Sequence, residues 1–162
     1  MTLSRQQLPP APRAIATAAG EALTAAWSQD PVAFRSAAES LAALDREQVG
    51  LVLGAVVRSL LEESHPGGLT GEDMHDVLAQ CSATSARWFP AVDAHVLLVL
   101  LAGSLGIHAD EEEPRPISAL EMSSHAPLLI SGLLGRSPRR RFNAHLDAAF
   151  TEIARSETVE MP

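Results

Sequence analysis

Few side chains in this sequence have the types and spacing to do chemistry. Cys81 is the only thiol. A catalytic cysteine needs a neighbouring base and a field that favours the thiolate. Cys81 instead continues the helical stripe of Met74, Val77 and Leu78, which reads as a buried small hydrophobe. The histidines are His65, His75, His95, His108, His125 and His145. None pair with the spacing of a zinc site. His75 with Asp76, and His145 with Asp147, read as surface combinations on polar helix faces. His95 stands apart because it opens the most apolar stretch of the chain. Burial there would favour the neutral ring and suit a sensor or a ligand contact. No nucleophile elbow, glycine-rich phosphate loop or paired catalytic carboxylate is present, so no motif supports an enzyme.

Arg136, Arg139, Arg140 and Arg141 cluster where Ser137-Pro138 starts the last helix. Cations at a helix N-terminus oppose the helix dipole. The cluster is therefore a candidate site for an anion or an acidic partner, against the plainer reading of a solvated basic turn. Two acidic loops form the other charged feature, Glu62 to Gly68 and Asp110 to Pro116. Each is followed by a capping pair, Thr70 with Asp73 and Ser118 with Glu121.

The two loops resemble a degenerate EF-hand pair. Read from Glu62, a twelve-residue loop places Gly67 at the turn glycine, Leu69 at the apolar position and Asp73 at the last ligand position. Read from Asp110, it places Glu112 third, Ile117 at the apolar position and Glu121 last. Both loops depart from the pattern. Pro66 and Pro114 occupy a ligand position, and Arg115 stands where the glycine belongs. The resemblance implies calcium bound by Glu62, Asp73, Asp110, Glu112 and Glu121. Capping of two helices explains the Thr/Ser and Asp/Glu pairs without a metal.

These residues must be positioned by helices. Of the 162 residues, 46% are apolar, only 4% are aromatic, and Tyr is absent, a composition suited to an all-α bundle. The most apolar segment runs from Ala91 to Ile107. Val96 to Ala102 contains no polar residue, and a helix that is apolar on every side is expected to be buried on every side. It is too short to span a membrane, which takes about 20 apolar residues. Earlier stripes are Ile15, Ala19, Ala22, Leu23, Ala26 and Trp27; Phe34, Ala37, Ala38, Leu41 and Leu44; and Val49 to Leu61. Asp30-Pro31 and Asp45 with Gln48 read as helix starts. Pro127 is expected to break or restart its helix. Phe142, Leu146, Ala149, Phe150 and Ile153 mark the last helix.

The expected fold is an irregular or orthogonal bundle of about seven helices around the 91–107 segment. Residues 1–11 form a mobile lead-in, 12–156 one domain, and 157–162 a frayed tail. An ungapped shift of 48 residues superposes Leu51-Val52-Leu53 on Val99-Leu100-Leu101, Pro66 on Pro114, and Asp73-Met74 on Glu121-Met122. This suggests two tandem helix-loop-helix units.

Net charge is −8, which disfavours a nucleic-acid partner. All twelve basic residues are Arg, a bias typical of GC-rich bacterial coding, and the absence of Lys excludes Schiff-base chemistry. With no disulfide pair, secretory signal or membrane span in view, the cytoplasm is the default location. The expected function is non-enzymatic binding of another protein, with a homodimer the natural candidate. The alternatives are an apolar small molecule held in a groove by His95, Val96, Leu100 and Leu101, and the metal-responsive loop pair.

Overall fold

The computed structural model describes residues 9–107, 116–135 and 139–160. Among them the protein is all-helical, with seven helices and no strand. These are α1 (Pro10–Trp27), α2 (Pro31–Ala42), α3 (Arg46–Ser64), α4 (Gly71–Ala86), α5 (Ala94–Ser104), α6 (Ala119–Leu134) and α7 (Arg139–Glu160). Asp110, Glu112 and Arg136 lie outside the described residues. No helix is long and apolar enough to cross a membrane among those described.

The helix starts follow local chemistry. Asp30 accepts from the Ala33 N–H at 3.1 Å, with Pro31 at the first helical position. Thr70 and Asp73 exchange hydrogen bonds of 3.1 and 2.9 Å in a capping box. Ser118 and Glu121 do the same at 3.0 and 3.2 Å. Asp45 differs from its expected pairing with Gln48: its carboxylate accepts from the Glu47 N–H at 3.0 Å. Asp93 caps α5 in the same way, through the His95 N–H at 2.9 Å. The offset of 48 residues can be set against the helix bounds. It carries the bounds of α4 onto those of α6, and the first residue of α3 onto that of α5.

The segment expected at the centre is not the hub. That place belongs to α6, which packs against α1, α2, α3, α4 and α5, whereas α5 packs against α3, α4 and α6. Every residue from Ser123 to Ile130 is buried. The polar run Ser123-Ser124-His125 is made compatible with burial by local bonds. Ser124 donates to the Glu121 carbonyl at 3.1 Å. His125 Nε2 accepts from the Asp93 N–H at 2.9 Å, and its Nδ1 donates to the Glu121 carbonyl at 2.8 Å. This ring ties the start of α5 to α6. Ser123 Oγ is the one buried side-chain oxygen without a partner among the described residues.

Pro127 neither breaks nor restarts α6, which runs unbroken from Ala119 to Leu134. A proline forfeits one ladder hydrogen bond, and here close packing on all sides holds the helix through it. The helix ends at Gly135, whose φ of 60° suits a residue without a Cβ. The Trp27 indole donates to the Gly135 carbonyl at 3.0 Å, fixing that end against α1. The last helix, α7, continues to Glu160.

Candidate functional site

Two places stand out once the helices are assembled. The first is the outer side of α5. Val96, Leu97 and Leu101 are fully buried. Leu98 and Val99 are 42% and 38% exposed. The expectation of burial on every side is therefore not met. At 100° per residue, His95, Leu98, Val99, Ala102 and Gly103 form one outward stripe with no acidic or arginine side chain in it. The helix is short and lies at the edge of the bundle, so its neighbours cover only the opposite side.

This stripe borders α3 across open clefts floored by Gly50, Gly54 and Gly103. A cleft of about 400 Å³ is lined by Leu51, Gly54, Arg58, Gly103 and Ile153, among others. A second of about 200 Å³ touches Val99, Leu100 and Met122. A Cβ added at Gly54 or Gly103 would meet nothing within 4 Å. Leu51, 50% exposed, stands beside the larger cleft. Of the four groove residues expected from the sequence, Leu100 lines the smaller cleft. Val96 and Leu101 are sealed in the core, and His95 is half-buried at the start of α5. The space beside Leu100 is smaller than the roughly 300 Å³ at which small-molecule pockets begin.

The second place is the seam between α3 and α7. His145 is buried, not a surface partner of Asp147 as its polar neighbours suggested. Its Nδ1 lies 2.7 Å from Ser59 Oγ, and its Nε2 lies 2.8 Å from Glu63 Oε2. Arg141 holds the other oxygen of Glu63, through Nε at 3.0 Å and through Nη2. Ser59 and Glu63 are one turn apart on α3, and Arg141 and His145 one turn apart on α7, so two helix faces meet as a four-residue chain. Further along, Arg58 pairs with Glu152 and lies 3.9 Å from Glu62.

The hydrogen bond from Arg141 holds the Glu63 carboxyl below its ordinary value of 4.5, with the charges of Arg141 and His145 adding to it. A lowered carboxyl stabilises the fold above its unfolded value and loses that contribution as pH falls through the folded one. The expected result is a stability gap between the wild type and Glu63→Gln that is present at neutral pH and closes below about pH 4.5. Urea unfolding of both chains across that range measures it. A gap independent of pH would detach the effect from the ionised carboxylate.

The remaining sequence candidates do not converge. Arg139 donates to Thr24 Oγ1 at 2.8 Å on α1, while Arg141 is directed to α3 and Arg140 is exposed. Arg139 and Arg141 thus serve separate contacts. Of the acidic candidates, Asp73 and Glu121 are used as capping side chains, and Glu62 lies beside Arg58. The Asp73 carboxyl is held below its ordinary value by its Thr70 hydrogen bonds, the backbone one first. Among the described residues no group of three His, Cys, Asp or Glu side chains is arranged to hold a metal ion. Cys81 is buried, and burial pushes its thiol up to about 11, a value that suits packing and not nucleophilic chemistry. No family model, no curated protein and no solved structure matches the chain.

Proposed function

We propose that the protein works by association with a second copy of itself through the open side of α5. The observation that carries this reading is a helix apolar on all sides with only one side covered. Leu98 and Val99 keep 42% and 38% of their surface in water, so burying the remainder would add roughly 0.5–1 kcal/mol each, the matching share of the value for a whole side chain. The stripe is also self-complementary. In an antiparallel pairing centred between Leu100 and Leu101, Leu98 of one copy meets Gly103 of the other, and Val99 meets Ala102. Large residues then enter the space left by small ones, as a twofold interface requires. Antiparallel helices also place opposite dipole ends together. The stripe lacks acidic and arginine side chains, which lets two chains of net charge −8 approach without burying like charges. Leu51 and the clefts beside α3 extend the same surface.

Native mass spectrometry and light scattering at micromolar concentration test this. The wild type is expected to be a dimer. Val99→Asp should place a carboxylate in the seam and weaken the dimer at least a hundredfold, with helical content unchanged. Gly103→Leu should do the same by filling the space that receives Leu98. A wild type that stays monomeric at high concentration overturns the reading, as does a dimer indifferent to both substitutions.

A further inference from the structure

We propose that Ser59 is an activated nucleophile that accepts acyl groups from small neutral or cationic esters, with His145 as its general base. Nucleophilic serine chemistry needs a hydroxyl in contact with a base, and a third group that fixes the base's tautomer. All three are present. In the neutral form of the His145 ring, the Glu63 carboxylate, which can only accept, places the one ring proton on Nε2, which donates across 2.8 Å. That leaves Nδ1 with its lone pair directed at Ser59 Oγ, 2.7 Å away, within reach for proton transfer. Arg141 pins Glu63 from the other side. Glu63 and Arg141 are positioning residues; Ser59 and His145 are the reacting pair.

Space exists for a substrate. Ser59 lines an open cavity of about 430 Å³ with Ala55, Arg58, Glu62, Ala148, Ala149 and Glu152. The alanines give a small apolar floor. Two carboxylates against one guanidinium disfavour an anionic substrate and admit a neutral or cationic one. Arg58 is the only positive group lining the cavity, and it is the side chain available to face the oxygen of a tetrahedral intermediate. Its ties to Glu152 and Glu62 reduce that help, so slow acylation is expected.

The step balances without a cofactor. Ser59 Oγ bonds to the ester carbonyl carbon as its proton passes to His145 Nδ1. The carbon–alkoxy bond then breaks, and the departing alcohol takes that proton. Water reverses the sequence: its oxygen bonds to the carbon, the Oγ–carbon bond breaks, and Ser59 recovers a proton through His145, releasing the acid.

The test uses the full chain with p-nitrophenyl acetate and with a fluorophosphonate, read by intact mass and peptide mapping. A single adduct on Ser59 is expected, with a burst of about one p-nitrophenolate per chain ahead of slower turnover. Urea-unfolded chain should not be labelled. Ser59→Ala should lose the adduct, and His145→Gln should slow labelling about a hundredfold or more. Glu63→Gln should slow it too and shift the downfield imidazole N–H proton resonance, a signature that loss of packing alone does not predict. A folded wild type that neither reagent modifies overturns the proposal, as does an adduct that maps to another residue or survives Ser59→Ala. Because labelling of the wild type alone decides, a variant that fails to fold does not shield the proposal. Failure here also leaves the α5 pairing standing, since Ser59 and His145 lie outside the α5 stripe, although its bordering cleft and this cavity share Ala55, Arg58 and Glu152.

Discussion

Leu97→Ala is expected to cost about 2–5 kcal/mol of unfolding free energy, while Leu98→Ala, one residue later, costs about 1 kcal/mol or less in the isolated chain. Both residues are Leu in the middle of α5, and both become the best helix former, so propensity cancels between them. What separates them is 100° of rotation. Leu97 is fully buried and Leu98 is 42% exposed. Truncating Leu97 removes transfer free energy and leaves a cavity between α5 and its neighbours. Truncating Leu98 removes a side chain that is already partly in water. Urea unfolding at low protein concentration measures both. Equal costs would mean that α5 is rotated from its described orientation. The comparison also isolates association, because a partner that binds only the folded state adds stability that grows with concentration. Repeated at high concentration, Leu98→Ala should show a larger cost than when dilute, and Leu97→Ala should keep most of its own.

The same contrast explains what could be read from the residues alone. The helix class, the caps at Asp30, Thr70 and Ser118, and the packing role of Cys81 are local properties. A cap is set by side chains within one turn, and a stripe by periodicity within one helix. Which apolar side of α5 is left open is not local. Val96 to Ala102 has no polar residue to mark a solvent side, so no periodicity existed to read. The hub position of α6 was hidden for the opposite reason. Ser123, Ser124 and His125 look like a solvent-facing run until the bonds to Glu121 and Asp93 are seen.

The α3–α7 seam shows a third limit. Ser59 with Glu63, and Arg141 with His145, each have one-turn spacing that is visible in the chain. Nothing local says that helices some eighty residues apart will face each other. His145 meets Ser59 across 86 positions, and Arg141 meets Glu63 across 78. A search for i,i+4 pairs of complementary chemistry on separate helices would have raised this cluster as a candidate, without ranking it above others.

Gly132→Ala is expected to destabilise the fold by about 1–3 kcal/mol even though alanine is the better helix former. A Cβ at Gly132 would lie 2.4 Å from Cys81 Sγ and 3.4 Å from its Cβ. The first distance is far inside van der Waals contact. Relief is limited, because Cys81 is short and buried between α4 and α6, and α6 is held by five neighbours. The strain must therefore move backbone, or drive the thiol into a poorer rotamer. Cys81→Ala removes the sulfur and leaves the tight but tolerable 3.4 Å approach. The double variant Cys81→Ala/Gly132→Ala should then be more stable than Gly132→Ala alone, with a favourable coupling of about 1–3 kcal/mol. In a chain of this length each kcal/mol shifts Tm by roughly 2–4 °C, so thermal unfolding of the four chains in the cycle resolves it. Additive changes would mean that the thiol does not touch Gly132, and the packing of α4 on α6 would have to be redrawn. A positive coupling result would give Gly132 a steric reason to lack a side chain, and would place the only cysteine as a packing element at the contact between the two helices whose bounds lie 48 residues apart.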